Sequence, residues 1–356
     1  MLKATLYVRE DPALLNNAVF SGKSLYGMKS DMYMYVALRK ELGLLGVDLS
    51  TQDINPVHSS GFIIVLNETL FFKNYQKTKE QKLYLILSEP PVYNFEDWKK
   101  ENHLTFDKIF VYDDRLADNI KYFHYNFAID FESFDKPGLV SRETFSKKKL
   151  CVLMAGTFSV LPHRKEMQSL LHERYKAISW FNRNFPNDLD FFSRVIIEKK
   201  FEEFKGSSYL NKISPSLVGK IASYKFKRNC EKVFKGSVEA EKKIETMKAY
   251  KFYLCYENSH GINGLISEKI FDCFAASCIP VYEGAPDITR YIPPGCFINK
   301  EDFKSYPALH HYLVNMSYEE YSGYIENMLA FMNSEEIDPF KVCAFTKKII
   351  AQIELV

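Results

Sequence analysis

No apolar run in this sequence approaches the ~18 residues that a membrane-spanning helix needs. The opening stretch MLKATLYVRED turns charged too soon for a secretory signal. The seven cysteines (Cys151, Cys230, Cys255, Cys273, Cys278, Cys296 and Cys343) are odd in number and contain no CxxC pair. That argues against a zinc ribbon, a redox dithiol or a disulfide framework. Most lie in apolar runs, where cysteine packs as a small hydrophobe. The expectation is a cytoplasmic protein with reduced thiols and no transmembrane segment; peripheral association with the inner face of a membrane stays open. The net charge is only +2, so nothing calls for nucleic acid. The eight histidines show no HExxH spacing, and neither a GxSxG elbow nor a Walker-type GxxxxGK[ST] is present. There are no internal repeats and no low-complexity tract.

What is present is an ordinary globular composition, 46% hydrophobic and 26% charged, with 23 Tyr and 29 Phe. A length of 356 residues exceeds what one hydrophobic core usually supports, so two domains are expected. ATLYV (4–8), GFIIVL (61–66), KLYLIL (82–87) and KIFVY (108–112) are continuous apolar runs, the mark of parallel strands covered on both faces. A helix capped by Asp31 and running to about Leu45 fits between the first two, with Met32, Tyr35, Val36, Leu42 and Leu45 near one face. The polar stretch 132–149, with Pro137-Gly138 and three consecutive lysines, reads as a linker. KLCVLMAG (149–156) restarts the strand pattern. The expected plan is an N-terminal α/β domain over 1–145, a second α/β domain over 146–335, and a C-terminal helical segment over 336–356. The Lys- and Glu-rich run from Ser193 to Lys248 reads as a solvated helical face.

The most informative segment is YKFYLCYENSHGINGLISEKIFDCFAASCIPVYE, residues 250–283. Phe252–Tyr256 and Ile279–Tyr282 read as strands. Between them Ser267 is placed to cap a helix whose Ile270, Phe271, Phe274, Ala275 and Cys278 share a face. Strand, loop, helix, strand is the unit of a nucleotide-binding sheet. Gly261 and Gly264 permit tight turning, and the helix N-terminus favours a phosphate. Lys269 stands in the first turn, where a cation opposes the helix dipole unless an anion is bound beside it. Glu268 has two readings, an ordinary first-turn acid or an acceptor for ribose hydroxyls.

This segment resembles the donor-site signature of the family-ten, α-1,3-fucosyltransferase-like glycosyltransferases of bacterial type. The resemblance rests on Tyr256-Glu257-Asn258-Ser259 and Ser267-Glu268-Lys269-Ile270. It continues through Ile279-Pro280-Val281-Tyr282, Gly284-Ala285-Pro286, Tyr291-Ile292-Pro293, Cys296-Phe297-Ile298 and Asp302-Phe303. It implies the GT-B arrangement, two Rossmann-like domains around a cleft, with the nucleotide on the C-terminal one. Donor-binding roles would fall on Asn258, Glu268 and Lys269, with Glu257, Ser267 and Gly264 in the same loop. Where several members carry a tyrosine, this chain has Leu265, which leaves the identity of the sugar open.

The family also places an arginine on the helix after the first strand of the C-terminal domain. HERYKAISWF (172–181) resembles that helix, which makes Arg174 the match and Arg164 the runner-up; Ala155-Gly156 departs from the family pattern. The structural alternative for Arg174 is a surface pair with Glu173. Glu89 follows KLYLIL and precedes Pro90-Pro91, which end the strand. It would therefore stand at the carboxyl edge of the sheet, where ligands bind. There it resembles the family's general base; the alternative is a cap of the next turn. Asp188-Leu189-Asp190 matches a metal–diphosphate string of another glycosyltransferase fold but lies outside the donor loop. His260, His124 and His163 are read as surface histidines that could approach the cleft. The resemblance implies an inverting transfer from GDP-fucose to a GlcNAc- or glucose-containing glycan, such as a surface lipopolysaccharide, with no cofactor and no essential metal. A related enzyme using another GDP- or UDP-sugar, or a non-catalytic glycan- or nucleotide-binding protein, remains as the alternative.

Overall fold

The computed structural model describes residues 1–22, 32–133, 136–155, 169–193 and 228–354. Asp31, Gly156, His163 and Arg164 lie outside the described residues. Six strands form the first sheet: β1 (Leu2–Tyr7), β2 (Val47–Thr51), β3 (Phe62–Leu66), β4 (Lys82–Leu87), β5 (Lys108–Val111) and β6 (Tyr122–His124). Their order is β2-β1-β3-β4-β5-β6, parallel throughout. The continuous apolar runs have the expected cause. Ile63, Val65, Leu83 and Leu85 enter one core, while Phe62, Ile64, Tyr84 and Ile86 enter the core on the opposite face.

The second sheet consists of β7 (Lys149–Ala155), β8 (Leu189–Ser193), β9 (Tyr250–Tyr256), β10 (Ile279–Glu283) and β11 (Ile298–Asn299). It is parallel in the order β11-β10-β9-β7-β8. The chain moves from β7 to one side and then returns to the other side of β7 with β9. In the first sheet β1 is flanked in the same way by β2 and β3. Such reversals open a crevice at the carboxyl ends of the two central strands.

Helix α1 (Tyr33–Leu44) buries Met34, Tyr35, Leu38 and Leu42. The buried face differs from the expected one at its ends: Leu45 is exposed and follows the helix, while Met32 and Val36 are only partly covered. The stretch expected to be a bare linker holds α2 (Arg142–Lys147) and is tied down ahead of it. Ser277 Oγ accepts from Gly138 N and donates to Gly138 O, each at 2.9 Å. The remaining described α-helices are α3 (Leu171–Asn184), α4 (Lys243–Met247), α5 (Glu268–Ala275), α6 (Tyr306–Asn315), α7 (Tyr318–Met332) and α8 (Val342–Ile350). The expected C-terminal helical segment holds α8, which crosses back to the first sheet. Phe345, Ile349 and Ile353 join Leu38 and Leu42 in its core, and the Phe345 ring lies 5.6 Å from that of Tyr125. No helix among the described residues is long and apolar enough to cross a membrane.

Candidate active site

The Glu257–Ser259 segment that follows β9 is fastened to the residues just ahead of α3. Asn258 O accepts from Leu170 N at 3.1 Å, and Ser169 pairs with Ser259 in a short antiparallel bridge. That contact anchors the start of α3 and so delivers Arg174. Buried among protein atoms, Arg174 donates from Nη2 to the carbonyls of Tyr256 and Glu257 and to Asn258 Oδ1. Its Nε and Nη1 have no acceptor among the described residues. Nη2 of the guanidinium thus fastens the loop that follows β9.

Helix α5 starts as its sequence demands. Ser267 is extended at φ −94° and its hydroxyl accepts from Lys269 N. The anion that the first-turn lysine requires is found within the protein. Lys269 Nζ lies 3.0 Å from Glu257 Oε2 and 2.8 Å from Ser267 Oγ. Glu257 also accepts from Ser267 N and Ser267 Oγ at 2.8–2.9 Å. The Glu257 carboxylate is 1% exposed, so it organises the helix start from beneath and presents no face to a donor. Gly284 makes room for it, because a Cβ there would meet Glu257 Cγ at 2.6 Å. Burial works to lower the Lys269 ammonium, but Glu257 and Glu268 hold it above its ordinary range. Burial likewise works to raise Glu268, but Lys269 and Lys243 keep it ionised below the usual carboxylate range.

Lys243 is a member of this cluster that sequence reading assigned to a solvated face. It comes from α4 and pairs with the buried Asp272 on α5. Charge alternation along 193–248 gave no sign that one lysine turns inward; the fixed partner is a carboxylate on a distant element.

Gly264 has φ +68°, and a Cβ on it would sit 2.1 Å from the carbonyl oxygen of Tyr112 in the first domain. Its N–H donates to Asp287 Oδ1 at 2.9 Å. Leu265 is buried with Tyr112, Tyr125 and Phe345 in the core of the first domain. The structure thus places both residues in the seam between domains, and Leu265 occupies apolar core instead of lining the donor loop. His124 belongs to the same seam, its ring 6.4 Å from that of Tyr291. His260 lies 3.4 Å from Glu301.

Glu89 follows β4 on the opposite wall of the cleft. Its side chain is accessible, and its carboxylate has no hydrogen-bond partner among the described residues. Even so it stands deep between protein masses, and this desolvation raises its carboxyl pKa against the opposing pull of Lys269 and Arg9. Tyr93, which sequence reading passed over, is 45% exposed nearby. Its phenol is raised by desolvation and feels Arg174, Lys269 and Glu89 together. Glu89 and Tyr93 from the first domain therefore face Arg174, Glu268 and Lys269 from the second. The proximity of Pro90-Pro91 was the only sequence signal for Tyr93.

Asp188 and Asp190 lie at the amino end of β8, away from this crevice. Asp190 Oδ2 accepts from Lys149 Nζ at 2.8 Å and Tyr250 Oη at 2.7 Å, and Asp188 Oδ2 lies 2.7 Å from His310 Nε2. Both carboxylates are engaged in packing. All seven cysteines are free thiols, six of them buried.

Two parallel, doubly wound sheets facing each other across a crevice, with cations on one wall and a lone carboxylate on the other, define the GT-B class of glycosyltransferase folds. Solved structures agree. An α1,3-fucosyltransferase structure with GDP-fucose superposes over 100% of this chain and 91% of that chain, with TM-score 0.51 and 14% identity. The DNA-modifying β-glucosyltransferase superposes over 98% of this chain and 100% of its own, with TM-score 0.52 and 13% identity. The sequence carries a narrower likeness in its second half. Residues 204–352 match the model described as glycosyltransferase family 10 (fucosyltransferase) C-term. It is 30% identical over 118 residues to alpha-(1,3)-fucosyltransferase FucT of Helicobacter pylori, covering 30% of this chain and 24% of that protein. The matched stretch spans less than a quarter of the length of such relatives.

Proposed function

We propose that this protein transfers fucose from GDP-fucose to a hydroxyl of a GlcNAc- or glucose-containing glycan, with inversion at the anomeric carbon. The observation that carries this reading is the opposition of Glu89, without a hydrogen-bond partner among the described residues, to Arg174 and Lys269 across one crevice. In the reaction the acceptor hydroxyl gives its proton to the Glu89 carboxylate. Its oxygen forms a bond to the anomeric carbon through an oxocarbenium-like state. The bond from that carbon to the β-phosphate oxygen breaks, and its electron pair leaves on GDP. Arg174 and Lys269 stabilise the charge that develops on the diphosphate. Asn258 and Glu268 hold phosphate and ribose. Because two fixed cations already serve the leaving group, transfer needs no metal, and activity is expected to survive EDTA.

Support for fucose and guanosine comes from the family and from the named activity of the Helicobacter relative. Leu265 packs its side chain into the core of the first domain, which supports reading the tyrosine-to-leucine difference as a packing feature. The test is incubation of the purified protein with GDP-fucose and a panel of GlcNAc- and glucose-terminated acceptors. Expected are GDP release and a product of inverted anomeric configuration. Thermal stabilisation by UDP and not by GDP overturns the donor assignment.

A further inference from the structure

Asn67 follows β3 and has φ +48°, a left-handed conformation that costs a residue with a Cβ some energy. Arg9, which follows β1, is also left-handed at φ +56°. Both lie where the first sheet reverses its strand order. Asn67 spends every polar atom on its neighbours. Its Oδ1 accepts from Ser88 N at 2.8 Å and from Glu89 N at 3.0 Å, and its Nδ2 donates to Ser88 Oγ at 2.7 Å. Its carbonyl accepts from Arg9 Nε and from Asn94 Nδ2, both at 2.9 Å. Arg9 is in turn paired with Asp97, which is 2% exposed and accepts from Thr69 N at 2.7 Å. On its other side Glu89 O accepts from Trp98 Nε1 at 2.8 Å. The backbone of Glu89 is thus held at both its N–H and its C=O by side chains, while its carboxylate has no partner among the described residues. The rings of Pro90 and Pro91 fix φ at the next two positions of the chain and stiffen the turn.

We infer that Asn67 is the positioning residue of the Glu89 turn, a side chain that fixes the carboxylate in the cleft without touching substrate. This rests on the reading of Glu89 as general base. A Ser-Glu-Pro-Pro turn without such an anchor would leave the N–H groups of Ser88 and Glu89 to water, and the carboxylate would sample many orientations. A misplacement of about 1 Å at a reacting group costs on the order of a hundredfold in rate. The left-handed backbone follows from the same function, since Asn tolerates that conformation and its short amide reaches back to two consecutive N–H groups.

The experiment uses the full-length protein with Asn67→Gly, Asn67→Asp, Glu89→Gln and the double variant Asn67→Gly/Glu89→Gln. Glycine keeps the left-handed backbone and deletes only the anchor. Aspartate keeps the two-fold acceptor. In Asn67→Gly, kcat is expected to fall ten- to a hundredfold with KM for GDP-fucose and Kd for GDP within twofold of wild type. Asn67→Asp is expected to stay within fivefold of wild-type kcat. In the Glu89→Gln background, Asn67→Gly is expected to have no further effect. Amide hydrogen exchange at Ser88 and Glu89 reads the anchor independently of activity and is expected to accelerate at least tenfold in Asn67→Gly. Unchanged kcat in Asn67→Gly, with Glu89→Gln inactive, overturns the positioning role alone. A loss that multiplies with that of Glu89→Gln also overturns it. Full activity in Glu89→Gln overturns the general-base reading and the inference with it; the exchange result then reports only that the anchor exists.

Discussion

At the scale of single residues, the site is organised by charges that answer one another. Glu257 is buried against Lys269 and Ser267, and removing it takes the directly paired carboxylate from an ammonium in a desolvated place. Glu257→Ala is therefore expected to lower unfolding free energy by about 3–5 kcal/mol, measured by urea denaturation. Glu89 is the reverse case, since its carboxylate holds nothing together. Glu89→Gln is expected to leave stability and GDP affinity near wild type while reducing transfer by about 10²–10⁴-fold. Because desolvation raises the Glu89 pKa, the proposed base is lost to protonation at a higher pH than an exposed glutamate would be. The acid limb of kcat should accordingly lie above the ~4.3 of an unperturbed glutamate. A first-turn lysine announces in the sequence that an anion must be near. That the protein supplies one itself, from the end of β9, depends on strand β9 finishing beside the start of α5 and could not be read from spacing.

At the scale of elements, the loop between β9 and α5 serves two purposes. Its ends carry Glu257 and Ser267, and its middle plugs the other domain. Glycine at 264 looked like room for a phosphate; the room is used by the Tyr112 carbonyl. Gly264→Ala meets both the positive φ and that oxygen, and is expected to destabilise by more than ~1 kcal/mol in thermal or urea unfolding. His124 lines the same seam. Burial pushes its imidazole down to about 4, assisted by Lys348, so it is neutral in the folded protein near neutral pH. An unfolded histidine binds a proton below about 6.5. The unfolded chain therefore takes up the extra proton as pH falls from about 6.5 to about 4, and stability drops across that window. His124→Gln is expected to flatten this part of the stability profile. The β4 run and the α5 cap were plain in the sequence because apolar continuity and a serine before Glu-Lys are local signals. The inward turn of Lys243 and the course of Leu265 were not, because each is decided by a partner on a remote element.

At the scale of the whole molecule, the arrangement of two doubly wound sheets was legible from continuous apolar runs interrupted by helical segments. The crossing of α8 back to the first sheet was not, since a short amphipathic helix shows which face is apolar but not which core accepts it. That crossing, the Gly264–Leu265 plug and the Arg290–Asp114 pair, 2.5 Å between Nη1 and Oδ2, join the two walls of the cleft. The proposed base Glu89 on one wall is thereby held opposite Arg174 and Lys269 on the other. The most direct check of that opposition is the rate of GDP release from GDP-fucose in the presence of acceptor, compared between wild type and Glu89→Gln at equal, saturating donor. Rapid release by the wild type and a loss of at least a hundredfold in the variant are expected, with both proteins binding GDP equally. Equal release rates for the two proteins would contradict a base at Glu89 acting across the cleft.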